Sequence, residues 1–162
     1  KFLKKNTFLL DLGASPGGWS QVASKIITSG KILSIDIKKM EPIQNVKFVN
    51  SNIFNQKTKE IIQTFFGKEL DVVISDMAAD TTGNKSLDCI RTNQLCTEVI
   101  NLSREILKKN GVIVSKLFMG EDFLEVKQKA KSLFKDVFFY KPESSKNESK
   151  ETYLHCKNLK AL

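Results

Sequence analysis

The chain has 162 residues, 41% of them hydrophobic and 27% charged, and a net charge of +8. That length predicts one domain with a real core, and the apolar content excludes a disordered chain. No apolar run approaches the ~20 residues of a membrane-spanning helix, and Lys1-Phe2-Leu3-Lys4-Lys5 lacks the apolar core and small-residue cleavage site of a signal peptide. Cys89, Cys96 and Cys156 are odd in number and include no C-x-x-C pair. They argue against a disulfide framework or zinc site and for an intracellular, reducing location, its compartment left open. Of the 26 basic residues only Arg91 and Arg104 are arginines. Such an excess of lysine suits a polyanionic partner such as RNA, or simply keeps the chain soluble.

Apolar runs and amphipathic stretches alternate along the chain. Thr7–Leu12 reads as a buried strand that ends at a glycine, and Trp19–Ile27 as a helix. Lys31–Asp36 and Val46–Val49 are the second and third strands. Asn55–Phe66 is a helix with Ile61, Ile62, Phe65 and Phe66 on one face. Asp71–Asp76 is the fourth strand. Asp88–Lys108 is a long helix that Asn110-Gly111 is expected to stop and turn. Gly111–Lys116 is the fifth strand, Glu121–Phe134 a helix, and Val137–Tyr140 and Thr152–Cys156 the last strands. Phe138, Phe139, Phe65 and Phe66 read as core, and His155 as structural.

Alternating strands and helices predict an α/β fold with a mostly parallel seven-stranded sheet, helices on both faces and an antiparallel hairpin to close it. Ligands of such sheets bind beyond the carboxyl ends of the strands. There the chain carries charges: Asp11, Asp36, Asp76 and Lys116 each end an apolar run.

The first βα turn is Asp11-Leu12-Gly13-Ala14-Ser15-Pro16-Gly17-Gly18-Trp19-Ser20. Its glycines fail the G-x-G-x-x-G dinucleotide spacing, and Pro16 removes an N–H that a phosphate cradle needs. The turn fits a nucleoside ligand without pyrophosphate; the plain alternative is a tight turn. Asp36 follows at the distance where a carboxylate accepts from ribose hydroxyls, with a loop charge as the ordinary reading. Asp76 and Lys116 end adjacent strands and form either an ion pair or a device that holds an amine on a reacting hydroxyl. Glu151 opens the last strand and faces the same end of the sheet.

Several of these segments, in order, resemble one family: DLGASPGGWSQ (Asp11–Gln21), SDMA (Ser75–Ala78), SKLF (Ser115–Phe118), KPESS (141–145) and ETY (Glu151–Tyr153). Together they look like the FtsJ (RrmJ-type) RNA ribose 2′-O-methyltransferases. The resemblance implies a Rossmann-like methyltransferase fold that uses S-adenosylmethionine. It carries catalytic roles onto Asp76, Lys116 and Glu151, and cofactor contacts onto Gly17, Trp19, Asp36 and Asp76, with Gly13 and Gly18 shaping the turn. Asn52 stands where the family often has an aspartate toward adenine; its amide can still accept from the adenine amino group.

The family also has a catalytic lysine on a helix upstream of the glycine turn. This sequence starts ten residues before Asp11, so that helix is expected to be missing, and either the chain is trimmed or its activity is impaired. A free lysine keeps its proton well above neutral pH, so a base role needs burial or a second cation. DLGASPGGWSQ and Met40-Glu41-Pro42-Ile43 look closest to the bacterial and organellar ribosomal RNA branch of that family, a resemblance that implies large-subunit ribosomal RNA as substrate, with transfer RNA or messenger RNA caps as alternatives. Lys38, Lys39, Lys141, Lys146 and Lys150 are candidate phosphate contacts. A monomer is expected. Two other classes stay open here: a non-catalytic cofactor- or RNA-binding module, and a nicotinamide dehydrogenase.

Overall fold

The structure is a computed structural model that describes residues 2–143 and 149–161. Its elements run β1 (Phe8–Leu12), α1 (Gly18–Ile26), β2 (Lys31–Asp36), β3 (Val46–Asn50), α2 (Gln56–Phe66), β4 (Leu70–Ser75), α3 (Lys85–Ile106), β5 (Leu107–Phe118), α4 (Phe123–Leu133), β6 (Phe134–Tyr140) and β7 (Glu151–Leu159). The strands form one sheet in the order β3-β2-β1-β4-β5-β7-β6. The first five are parallel, while β7 is antiparallel to both β5 and β6. This is the doubly wound, Rossmann-like arrangement expected from the alternating pattern. Among the described residues no helix is long and apolar enough to cross a membrane.

Each face of the sheet has its own core. One gathers Leu10, Leu12, Leu33, Ile113 and Leu154 under α2, α3 and α4, through Ile62, Val99, Ile100 and Val126. The other is smaller: Leu9, Ile32, Val72 and Val112 meet Ala23 and Ile27 at α1. Near-continuous apolar strands follow from this double coverage, because side chains alternate between two buried faces.

Both ends of α3 and the placement of Phe138 differ from the sequence expectation. Helix α3 begins at Lys85, not Asp88, because the Asn84 side chain caps it by accepting from Leu87 N–H at 3.1 Å. The same helix stops at Ile106, well before Asn110-Gly111. Leu107 is already extended and pairs with Leu70 of β4, whereas the next matched pair is Val72 with Val112. The strand therefore makes an excursion over Lys108–Gly111, and Asn110-Gly111 turns the chain within it. Lys108 Nζ closes that excursion on Asp71 Oδ1 at 2.8 Å. Burying Leu107 at 3% exposure outweighs another helical turn. Finally, Phe138 is not core. It lies on edge strand β6 and is 60% exposed, whereas Phe66 is buried. Its neighbours Val137 and Phe139 alternate onto the covered face, which leaves Phe138 on the other.

A Cβ on Gly111 would lie 2.3 Å from Leu107 Cγ. Gly111→Ala is expected to cost about 1–3 kcal/mol in urea unfolding through this overlap. Asn110→Ala, exposed beside it, should change stability by no more than about 0.5 kcal/mol.

Candidate active site

At the carboxyl edge of the sheet, strand order reverses between β1 and β4, and the loops after them diverge. A cavity of about 270 Å³ opens there, lined by Gly13, Ser15, Asp36, Asn52, Phe54 and Asp76, among others. The turn after β1 makes room for it. Gly13 has φ +71, and a Cβ there would sit 2.3 Å from Met77 Cγ. Gly17 has φ +118 and caps α1, with Ile43 and Met40 packed where its side chain would be. Gly18 has open space around it, so no protein contact requires its smallness.

The amides in the first half of this turn are committed internally. Gly13 and Ala14 donate to Ile35 O at 2.8 and 3.1 Å, and Ser15 N–H donates to Asp36 Oδ2 at 2.8 Å. Pro16 lacks an N–H, so the first half of the turn offers no amide to a ligand, whereas the first amides of α1 beyond Gly17 carry no side-chain cap. Asp36 also accepts Lys38 N–H on Oδ1 at 2.8 Å, so it clamps two loops while bordering the cavity. Each of its oxygens keeps acceptor capacity for a diol. Asn52 lines the cavity too, with its Oδ1 taking Phe54 N–H at 2.9 Å. Exposed Ile37 and Phe54 form apolar walls that the sequence reading did not single out. Their signal was an apolar residue just past each strand end.

Beneath the turn, Asp11 is 1% exposed and does not face the cavity. Ser20 Oγ donates to its Oδ2 at 2.6 Å and meets Ser34 Oγ at 2.7 Å. Burial pushes the Asp11 carboxyl up to about 7, aided by the charges of Asp76 and Asp36 and opposed by the Ser20 hydrogen bond.

Beside the cavity the structure gathers Asp76, Lys116 and Glu151. Lys116 Nζ lies 3.4 Å from Asp76 Oδ1 and 3.2 Å from Glu151 Oε2, with only 14% of its side chain exposed. Asp76 follows β4, and Lys116 lies near the end of β5. Glu151 opens β7, which is antiparallel, so its start pairs with Phe118 at the end of β5. Tyr153 joins them, and sequence reading gave it no role. Its hydroxyl donates to Asp76 Oδ1 at 2.7 Å, and its ring lies 5.6 Å from that of Trp19. Burial and the neighbouring carboxylates push the Tyr153 phenol well above its ordinary range. The signal for it was the period of two in Glu151-Thr152-Tyr153, which puts both outer residues on one face. Trp19 therefore stands by this cluster, and Gly17, Gly18 and Trp19 lie outside the cavity lining.

Residues 1–159 match the family model for FtsJ-like methyltransferases. The chain belongs to the FtsJ-like methyltransferase family. Ribosomal RNA large subunit methyltransferase E of Pelagibacter ubique is 44% identical over 99% of this chain and 79% of its own length. The protein of that name from Rickettsia akari is 42% identical over 99% of this chain and 73% of its own. A Plasmodium falciparum crystal structure assigned as a ribosomal RNA methyltransferase superposes with a TM-score of 0.85. It is 30% identical and spans 98% of this chain and 89% of its own. The seven-stranded sheet is thus that of a methyltransferase, and the dehydrogenase reading is set aside.

Of the candidate phosphate contacts, Lys38 borders the cavity, and Lys39, Lys141 and Lys150 are exposed. Lys146 lies outside the described residues, as do Ser144 and Ser145 of the KPESS segment.

The buried carboxyl of Asp11 yields a pH prediction. Its folded-state value, about 7, exceeds the ordinary 3.8, so its contribution to stability is complete below that lower value and is lost as pH rises through about 7. Asp11→Asn should shrink the fall in thermal midpoint between about pH 5 and about pH 8 by a few degrees, at about 2–4 °C per kcal/mol. An unchanged fall in differential scanning calorimetry refutes that assignment.

Proposed function

We propose that this protein transfers a methyl group from S-adenosylmethionine to a ribose 2′-hydroxyl of RNA, with large-subunit ribosomal RNA as the acceptor. One observation carries the reading: Asp76 belongs both to the cavity lining and to the Lys116 cluster, so a nucleoside site and a held amine share one residue. Family membership and the names of the relatives above support it. The cavity suits the cofactor on its own chemistry. Asp36 has acceptor capacity for two ribose hydroxyls, Ile37 and Phe54 offer apolar contact to a purine, and Asn52 has an amide for its edge.

When bound, S-adenosylmethionine supplies an electrophilic methyl on a sulfonium. The chain's own residues do the rest. Gly13, Asp36, Asn52 and Asp76 hold the nucleoside, with Gly17 setting the course of the turn into α1 and Trp19 bordering the cluster. Lys116 meets the target hydroxyl. Asp76 and Glu151 fix its nitrogen from two sides and leave little freedom in where it points. That rigidity matters because an in-line displacement gains most from alignment. As the hydroxyl loses its proton and attacks, Lys116 assists the deprotonation or stabilises the developing alkoxide. Tyr153 is a positioning residue: its hydroxyl holds Asp76 on the Lys116 side.

The relatives extend beyond the part that this chain matches. A binding module without turnover would have no need for a lysine held between two acids. We place the enzyme inside the cell, acting as a monomer.

Lys116→Ala in the full-length protein is expected to lower methyl transfer to unmodified large-subunit ribosomal RNA by about 100-fold or more. Calorimetry should show S-adenosylmethionine affinity within threefold of wild type, about 0.7 kcal/mol. Undiminished transfer removes Lys116 from the role, and transfer RNA or cap RNA as the better acceptor overturns the substrate.

A further inference from the structure

Two aromatic side chains on β6 take no part in the site above. Phe138 is 60% and Tyr140 is 61% exposed. The register fixes their place. Tyr140 pairs with Tyr153, and Tyr153 pairs in turn with Lys116. Paired residues project to the same face, and two strand spacings put Tyr140 about 10 Å from Lys116. Farther from the carboxyl edge, Phe138 pairs with His155, whose ring also meets Phe2 at 5.7 Å between centroids. A row of rings thus begins beside the held amine and runs along the edge strand of the sheet.

The chemistry of the row narrows its occupant. Burial and the charge of Lys157 push His155 below its ordinary range, so the row carries no charge of its own at neutral pH. A lysine stands at each end. Lys141 follows Tyr140, and at the far end Lys157 lies on the same face opposite Asp136, both lysines exposed, in a chain of net charge +8. Exposed aromatic rings with a lysine at each end match a polyanion with planar faces. Unpaired bases stack on aromatic rings while their phosphates meet the cations. A double helix hides those faces.

We propose that Tyr140 is a stacking platform for an unpaired base next to the target nucleotide, and that Phe138 continues the platform along β6. The inference rests on RNA being the methyl acceptor and adds where the strand runs. It also makes the acceptor single-stranded at the target: the platform holds the neighbouring base splayed out, and the ribose beside it faces Lys116. Because every base has a π-face, the contact selects unpaired structure more than sequence.

The test uses Tyr140→Ala, Tyr140→Leu and Tyr140→Phe in the full-length protein. KM for unmodified large-subunit ribosomal RNA is expected to rise at least about fivefold for the Ala and Leu variants, the lower end of one lost stacking contact. Tyr140→Phe should stay within twofold, as should kcat and the S-adenosylmethionine Kd of all three. An oligouridylate carrying one 2-aminopurine nucleotide should be quenched on binding wild type and Tyr140→Phe, but not Tyr140→Ala. Equal KM values for wild type and Tyr140→Ala, or no quenching by the wild type, overturn the platform; the face then belongs to another part of the protein or to a protein partner. If the wild type methylates no RNA, the acceptor assignment fails instead, and the quenching alone decides whether a strand stacks at Tyr140.

Discussion

An amine held between two carboxylates, at an edge where the backbone also opens a cavity, is the contact on which the rest of this molecule depends. Lys116 is too enclosed to stand unpaired at low cost, since a partly desolvated charge needs partners. Asp76 at 3.4 Å and Glu151 at 3.2 Å supply them. The reverse also holds: without the ammonium, two acids would crowd one corner. The three charges come from three strands, so the cluster exists only once β4, β5 and β7 lie side by side. The antiparallel course of β7 is the decisive constraint. A parallel β7 would carry Glu151 and Tyr153 to the opposite edge of the sheet.

The cavity depends on a second, buried arrangement. Asp11, Ser20 and Ser34 form a hydrogen-bonded knot below the glycine turn, tying β1, α1 and β2 together. Above it, Asp36 accepts backbone amides from the turn and from the loop after β2. The two aspartates divide the work. One is sealed under the turn and raised in pKa by its burial, and the other faces the space where a nucleoside fits. Both end apolar runs, so nothing local in the sequence distinguishes them. What separates them is which neighbour covers each: α1 lies over Asp11 through Ser20, while the loop after β2 leaves Asp36 at the cavity rim.

Much of the fold was legible because hydrophobic period and turn chemistry agree along most of the chain. The strand that ends at Asp36 and the amphipathic helix that ends at Phe66 lie where their patterns put them, and the fourth strand is shifted by one residue, to Leu70–Ser75. Asn110-Gly111 misled because it is a sound turn signal used inside an irregular strand: pairing of Leu107 with Leu70 ended the helix first. Phe138 misled because its apolar character says nothing about which face of an edge strand is covered. Tyr153 escaped notice because its importance lies in a partner 77 residues away.

The sequence alone determined the alternation of strands and helices, the glycine turn that fails the dinucleotide spacing, the charged strand ends, and the motifs that resemble one family. These are local, set by backbone sterics, side-chain period and missing N–H groups. Tertiary structure alone decided which acids surround the amine, which aspartate is buried, and that a row of aromatic rings stays open beside the cluster. Those outcomes depend on strand order and on the direction of β7, and long-range pairing leaves no trace in the spacing of neighbouring residues.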